Sequence, residues 1–408
     1  MRGWLPLSRR LVRCHSYQGS SEETRTFLRV FASPRELDCS ELRAAIGQIE
    51  MARLRWIVCR DDFVILEKMN ALHYLRAGFR LLAMIIRGIG PHAVVATAAM
   101  IAAILSCSPG RAQLPATVKR ILFVGDSITY SGGYIASLEA AWIVQHPEQP
   151  IEFLNLGLPS ETVSGLSEPG HAGGAFPRPD LHERLQRVLD QTKPDWVIAC
   201  YGMNDGIYYP LGEERFQAFR SGIERLHDAV VKHGSQIIHL TPAYFDALPI
   251  RDRLLPAGRE EYRQPYEGYD EVLETYARWL LEQRQRGWVV FDVHDAMKQT
   301  VLTARKSNPT FTFASDGVHP NAAGQVAIAG PLAKAWGLYL KEDGTPDHAE
   351  GKRVLELVTQ RQEILKHAWL TKTVHLRPGI PAGLPIDEAQ GQAAQIAAQL
   401  KSIVQGLR

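Results

Sequence analysis

Five short apolar runs punctuate residues 118–342: Arg120–Val124, Ile151–Leu156, Trp196–Cys200, Gln236–Leu240 and Trp288–Phe291. Between them lie stretches with apolar residues at helical spacing, about Tyr134–His146, Asp180–Gln191, Glu213–His233 and Tyr269–Arg286. Parallel strands need long crossovers, normally helices, so this alternation admits few folds. It predicts βαβ units and a mostly parallel sheet covered on both faces, a three-layer α/β/α domain over 118–342. In such sheets function gathers at the carboxyl ends of the strands.

The first run breaks abruptly. In KRILFVGDSITYSGG, residues 119–133, Ile121–Val124 gives way to Gly125-Asp126-Ser127 and a turn rich in hydroxyls and glycine. A strand that ends this way holds a phosphate, a metal or a nucleophile, or simply caps the next helix with Ser127 or Thr129 as N-cap. Phosphate loops need G-x-x-x-x-G-K-[ST] or G-x-G-x-x-G after the strand, and neither follows. GIGPHA at 88–93 fits the second pattern by letter, with the alanine that its last place also admits, but opens no βαβ unit. The G-x-S-x-G elbow is absent as well.

Partners for a nucleophile stand at later strand ends. ASDGVHPNAAGQ, 314–325, sets Asp316 three residues before His319, with Pro320 and Asn321 opening a helix. A carboxylate beside an imidazole fixes its tautomer and stabilises the imidazolium, as a nucleophilic serine requires of its base. A helix start carrying an exposed histidine gives the same letters. The third run ends in ACYGMNDG, with Gly202 and Asn204, and the second in NLGLPSET, with Gly157. A glycine N–H and a side-chain amide suit a developing oxyanion. A strand-to-loop turn at Gly157 and an Asx-turn at Asn204 are the plain alternatives.

Taken in order, GDS, the glycine, GMND and DGVH resemble the four blocks of the GDSL/SGNH hydrolase family, over about 118–342. The resemblance implies a flavodoxin-like fold with a five-stranded parallel sheet, which the count of apolar runs matches. It also implies that Ser127 is the nucleophile, His319 its base and Asp316 the group that orients the base. The Ser127 N–H, the Gly157 N–H and the Asn204 amide would form the oxyanion hole. No metal or organic cofactor is implied.

Other residues compete for roles. His294, in FDVHDAMKQ, could rival His319, although its place at a helix start suggests capping. His171 lies in a Gly/Pro-rich loop, EPGHAGGAFPRPD at 168–180, and either lines the cleft or faces solvent. Tyr201, Met203 and Tyr208, with Tyr209, surround Asn204 and form either an apolar substrate wall or core packing. Asp205 is expected to support the turn that presents Asn204. His182 and Glu183 lack the H-E-x-x-H pattern of a zinc site.

The rest of the chain bounds the setting. A net charge of +2 and interspersed charges give no surface for nucleic acid. Cys14, Cys39, Cys59, Cys107 and Cys200 show no C-x-x-C spacing, against a disulfide framework or zinc knuckle. Ala93–Cys107 is an uncharged apolar run that fits a signal-peptide h-region better than a membrane span. Arg76, Arg80 and Arg87 precede it, GRA ends at Ala112 as a cleavage site, and ILSC offers a loose lipobox at Cys107. This predicts a secreted, periplasmic or envelope-associated protein whose translation starts at Met69 or Met84, with 1–68 an over-extended gene start. A cytoplasmic helical segment ahead of a membrane anchor is the alternative, and membrane contact is expected only through this N-terminal extension, 1–112. After the polar linker KEDGTPDHAEG, the segment 346–408 reads as a helix at Lys352–His367, a Pro-rich tether and a helix at Ile386–Val404.

The expected activity is a serine esterase acting on short-acyl, acetyl-type esters of carbohydrates or on another small ester. Arylesterase, lysophospholipase-like or acyltransferase chemistry on the same residues is the alternative. A non-catalytic carbohydrate-binding or envelope scaffold protein is the reading from another class.

Overall fold

The computed structural model describes residues 114–406. The signal-like segment, the start-site reading and four of the cysteines lie outside them; Cys200 is buried and free. The five apolar runs form strands β1 (Arg120–Gly125), β2 (Glu152–Asn155), β3 (Trp196–Cys200), β4 (Gln236–Leu240) and β5 (Val289–Phe291). They pair in parallel in the order β2-β1-β3-β4-β5, the doubly wound order of flavodoxin-like sheets. β2 and β5 are shorter than their apolar runs, with Ile151, Leu156 and Trp288 flanking the strands and packing into the core.

The helices are α1 (Ser127–Ser131), α2 (Gly133–Gln145), α3 (Leu181–Thr192), α4 (Glu213–His233), α5 (Tyr269–Glu282), α6 (Val293–Ala304), α7 (Ala322–Trp336), α8 (Gly351–Thr373) and α9 (Ile386–Gly406). One layer holds α3, α4 and α5, with Phe219 of α4 stacked on Tyr276 of α5 at 4.4 Å. The other holds α2, α6 and α7, where Trp142 meets Trp336 edge-on at 6.5 Å. Crossovers of one hand put successive helices on opposite faces only where strand order reverses. That reversal falls between β1 and β3, and Gly125 is in register with Cys200, so both tips end level there.

The C-terminal segment packs on this frame. α8 and α9 close a small apolar cluster, Val354, Leu357, Val358, Ile396 and Leu400, against Ala136 and Ala140 of α2. α8 also covers the free edge of β2, where an open strand invites unwanted pairing. Gln362 Nε2 donates to the Phe153 carbonyl at 3.0 Å and to the buried Glu139 Oε2 at 2.6 Å. Arg361 lies 2.8 Å from Glu139 Oε1. α8 runs past His367 to Thr373 because Trp369 and Leu370 still find the core. Among the described residues no helix is long and apolar enough to cross a membrane.

Candidate active site

β1 delivers Ser127 to the reversal point. Gly125 closes the strand so tightly that a Cβ would sit 2.2 Å from Thr129 Oγ1 and 2.6 Å from the Cys200 carbonyl. Asp126 then caps α1, its Oδ1 accepting from the Ile128 N–H at 2.9 Å. The cap is therefore Asp126 and not Ser127 or Thr129; Ser127 becomes the first helical residue, where helix geometry provides its N–H with no partner. Burial pushes the Asp126 carboxyl up to about 7, against the pull of the Ile128 N–H.

His319 arrives from the loop before α7, whose N-cap is Asn321. Its Nε2 stands 2.8 Å from Ser127 Oγ, and its Nδ1 stands 2.7 Å from Asp316 Oδ2. Asp316 Oδ1 accepts from the N–H groups of Val318 and His319 at 2.9 and 2.8 Å. Partial burial pushes the Asp316 carboxyl up, but the backbone N–H and ring of His319 outweigh it and hold it below its ordinary value. An ionised carboxylate only accepts, so Nδ1 carries the proton and Nε2 is free to take one from Ser127. The pair is open to water, with 49% of the Asp316 side chain and 54% of the His319 side chain exposed.

The residues expected to meet an oxyanion are close by but differently engaged. Gly157 lies against α1, where a Cβ would come within 2.4 Å of the Tyr130 nitrogen. Its N–H donates to Asn155 Oδ1 at 2.9 Å, while Asn155 Nδ2 donates to the Thr129 carbonyl at 2.8 Å. In this arrangement the Gly157 hydrogen is spent on Asn155. Asn204 is buried, with Nδ2 donating to the Glu161 carbonyl at 3.2 Å. Its Oδ1 accepts from Arg178 Nη1 at 2.9 Å and from the Tyr208 hydroxyl at 3.2 Å. The second hydrogen on Nδ2 remains for a ligand.

Several expectations change on the structure. Tyr201 and Met203 are each 1% exposed, so neither forms a substrate wall. Tyr201 instead donates to Glu161 Oε2 at 2.6 Å, inside a fully buried pair of Glu161 with Arg184. Tyr208 is half-buried and touches the site through Asn204. His171 stays on its loop, 3.4 Å from Glu168 and edge-on to Phe176, with its basicity lowered by burial. Asp205 holds more than its own turn, since its Oδ1 accepts from Val163 and Ser164 at 2.9 and 2.8 Å.

His294 is buried, 3.5 Å from Asp270 and two residues after the Asp292 cap, and it is His319 that meets Ser127. With Asp270 and Glu274 it forms the one metal-like cluster among the described residues. Lys298 already neutralises it, its ammonium 2.8 Å from Asp270 and 2.6 Å from Glu274. Arg178 and Glu161 are the site residues that sequence reasoning missed. The only signal for Arg178 was a pair of opposite charges, Glu168 and Arg178, framing the glycine-rich loop.

Comparison with known proteins gives a consistent picture. A sequence model described as the GDSL-like lipase/acylhydrolase family matches residues 123–327, half of the chain. An acetylxylan esterase of Geobacillus stearothermophilus is 24% identical over 52% of this chain and 90% of its own length. Among solved structures, an acetyl-xylooligosaccharide esterase from a Geobacillus is 21% identical with a TM-score of 0.40, over 54% of this chain and 95% of its own. A gut microbial diltiazem-metabolizing enzyme is 19% identical with a TM-score of 0.44 over 57% of this chain, which spans only 50% of that enzyme.

Proposed function

The chain belongs to the GDSL-like lipase/acylhydrolase family and hydrolyses ester bonds, and from that premise we propose that Ser127, His319 and Asp316 carry the reaction on short-acyl esters of carbohydrates. One observation carries the assignment of roles: the unbroken chain of Ser127 Oγ, His319 and Asp316, with contacts of 2.8 and 2.7 Å. Ser127 Oγ attacks the ester carbonyl as its proton passes to His319 Nε2. Asp316, ionised, stabilises the imidazolium through Nδ1. The tetrahedral oxygen meets the Ser127 N–H and the spare Asn204 hydrogen, and the Gly157 N–H joins them by leaving Asn155. The imidazolium then gives its proton to the departing alcohol. Water, activated by His319, releases the acid and restores the serine.

The acetylxylan esterase relative supports an acetyl group on a sugar as the substrate. The bordering loop is also polar where it meets the site, through Arg178, which donates to Asn204 and is paired with Glu168. The apolar run at 93–107 supports a place outside the cytoplasm or on the envelope. The test is hydrolysis of aryl esters of increasing chain length and of acetylated xylo-oligosaccharides, by wild type and Ser127→Ala. Acetyl esters are expected to react fastest, and Ser127→Ala to abolish both turnover and labelling by a fluorophosphonate. Full activity in Ser127→Ala would reject the mechanism, and faster turnover of long acyl chains would reject the substrate class.

A further inference from the structure

A side-chain amide is nearly symmetric in shape, so its neighbours decide which end faces a ligand. At Asn204 the oxygen faces Arg178 and Tyr208, and the nitrogen faces the Glu161 carbonyl. A hydroxyl donates or accepts, so Tyr208 is indifferent to a flip. A guanidinium only donates. Turning the amide over would therefore set its NH2 against the Arg178 N–H and its oxygen against the Glu161 carbonyl, which only accepts, so Arg178 and that carbonyl together make one orientation right and the other wrong.

Arg178 is itself tightly held. Its side chain is 6% exposed, and Nε and Nη2 each meet a Glu168 oxygen at 2.7 Å, a two-point pairing that fixes the plane of the guanidinium. The cation also lies 5.5 Å from the centre of the Tyr208 ring. Tyr208 and Ile207 are both left-handed, with φ of 57° and 56°, a cost that non-glycine residues carry where surrounding structure demands it. Glu168 cancels most of the charge, so Arg178 acts locally through its hydrogen bond. A charged donor on Oδ1 polarises the amide and strengthens its N–H as a donor, with no rearrangement during the reaction.

We infer that Arg178 is a positioning residue of the reaction, acting on the oxyanion through Asn204 by fixing and polarising the amide. The inference rests on the reading of Asn204 as an oxyanion donor. A double-mutant cycle on the full chain, with kcat and KM for p-nitrophenyl acetate, tests both. Asn204→Ala is expected to lower kcat about 100- to 1000-fold. Arg178→Gln is expected to lower it about 10- to 100-fold with KM within about twofold, as for an interaction that strengthens only in the transition state. The double variant is expected to be no slower than Asn204→Ala alone. Losses that multiply in the double variant, or a change confined to KM, overturn the inference and leave the Asn204 reading standing. Unchanged kcat in Asn204→Ala overturns both. If Arg178→Gln does not fold, Arg178→Lys keeps the charge beside Glu168 with a single point of donation, and the same cycle applies to it.

Discussion

Ser127 follows a strand buried from Ile121 onward, and the side chains around it, Asp126, Asn155 and Asn204, are nearly shut off from water. His319 and Asp316, which face it, keep about half of their side chains in solvent. The buried arm takes its geometry from contacts far apart in sequence: Asn155 on the α1 carbonyls, Arg178 on Asn204, α8 on Tyr130. The exposed arm is set mainly by local bonds, three of them inside four residues to the Asp316 carboxylate, with the Asp246 N–H donating to the Gly317 carbonyl at 2.9 Å as its long-range tie. Damage to the first should therefore cost stability along with activity, and damage to the second activity alone.

The largest expected effect lies on the exposed arm. His319→Ala should lower kcat by roughly 10⁴- to 10⁶-fold, the range seen when a member of such a relay is removed. Melting should move little, since exposed substitutions change stability by no more than about 0.5 kcal/mol. Kinetics on an aryl acetate and a thermal melt of the same sample check both halves. A variant that is inactive because it unfolds would break the distinction between the arms.

On the buried arm the sharpest probe is the Glu161–Arg184 pair beneath Asn204 and Tyr201. Glu161→Gln leaves the Arg184 charge buried without its partner, which should cost about 3–5 kcal/mol of stability. The urea midpoint should fall, and kcat should fall less steeply than in His319→Ala. An unchanged midpoint would show that the buried arm is not held by this pair.

The sequence made the two arms unequally legible. Ser127, Asp316 and His319 sit in short local patterns, and the sheet that carries them follows from the period of its apolar runs. The surroundings of Asn204 depend on residues that only folding brings together. Glu161 and Arg178 lie in loops with no periodicity, and nothing local says that either side chain will be buried. Tyr201 and Met203 misled for the same reason: aromatic and sulfur side chains beside an active-site asparagine look alike whether they face substrate or core. Asp126 looked like a turn residue, because capping depends on a backbone angle that letters do not carry.

Asp126 also gives the comparison a pH axis. Burial raises its carboxyl from 3.8 in the unfolded chain to about 7 in the fold. A raised folded value means that its contribution to stability is complete below the unfolded value and is lost as pH rises through the folded one. Asp126→Asn keeps an N-cap acceptor and cannot ionise. The variant should match wild type near pH 4 and exceed it at pH 8, by roughly 2–4 kcal/mol for a shift of about three pH units. Urea midpoints at the two pH values decide; a gap that does not widen with pH would mean that Asp126 stays ionised in its buried site.

The smallest effect tests how far the C-terminal helix α8 belongs to the buried arm. Tyr130, three residues after Ser127, has its hydroxyl 2.9 Å from His367 Nε2. The Lys366 ammonium lies 4.1 Å from its ring and donates to its carbonyl at 2.9 Å. Tyr130→Phe removes only the hydroxyl contact, worth about 1 kcal/mol, and leaves the ammonium over the ring. The melting temperature should drop by about 2–4 °C, and kcat on acetyl esters should stay within about threefold. A large loss of kcat at constant stability would move Tyr130 from the scaffold into the reaction. A variant indistinguishable from wild type in both would leave the apolar cluster around Val354 and Leu400, with the Glu139 contacts, as what holds α8 in place.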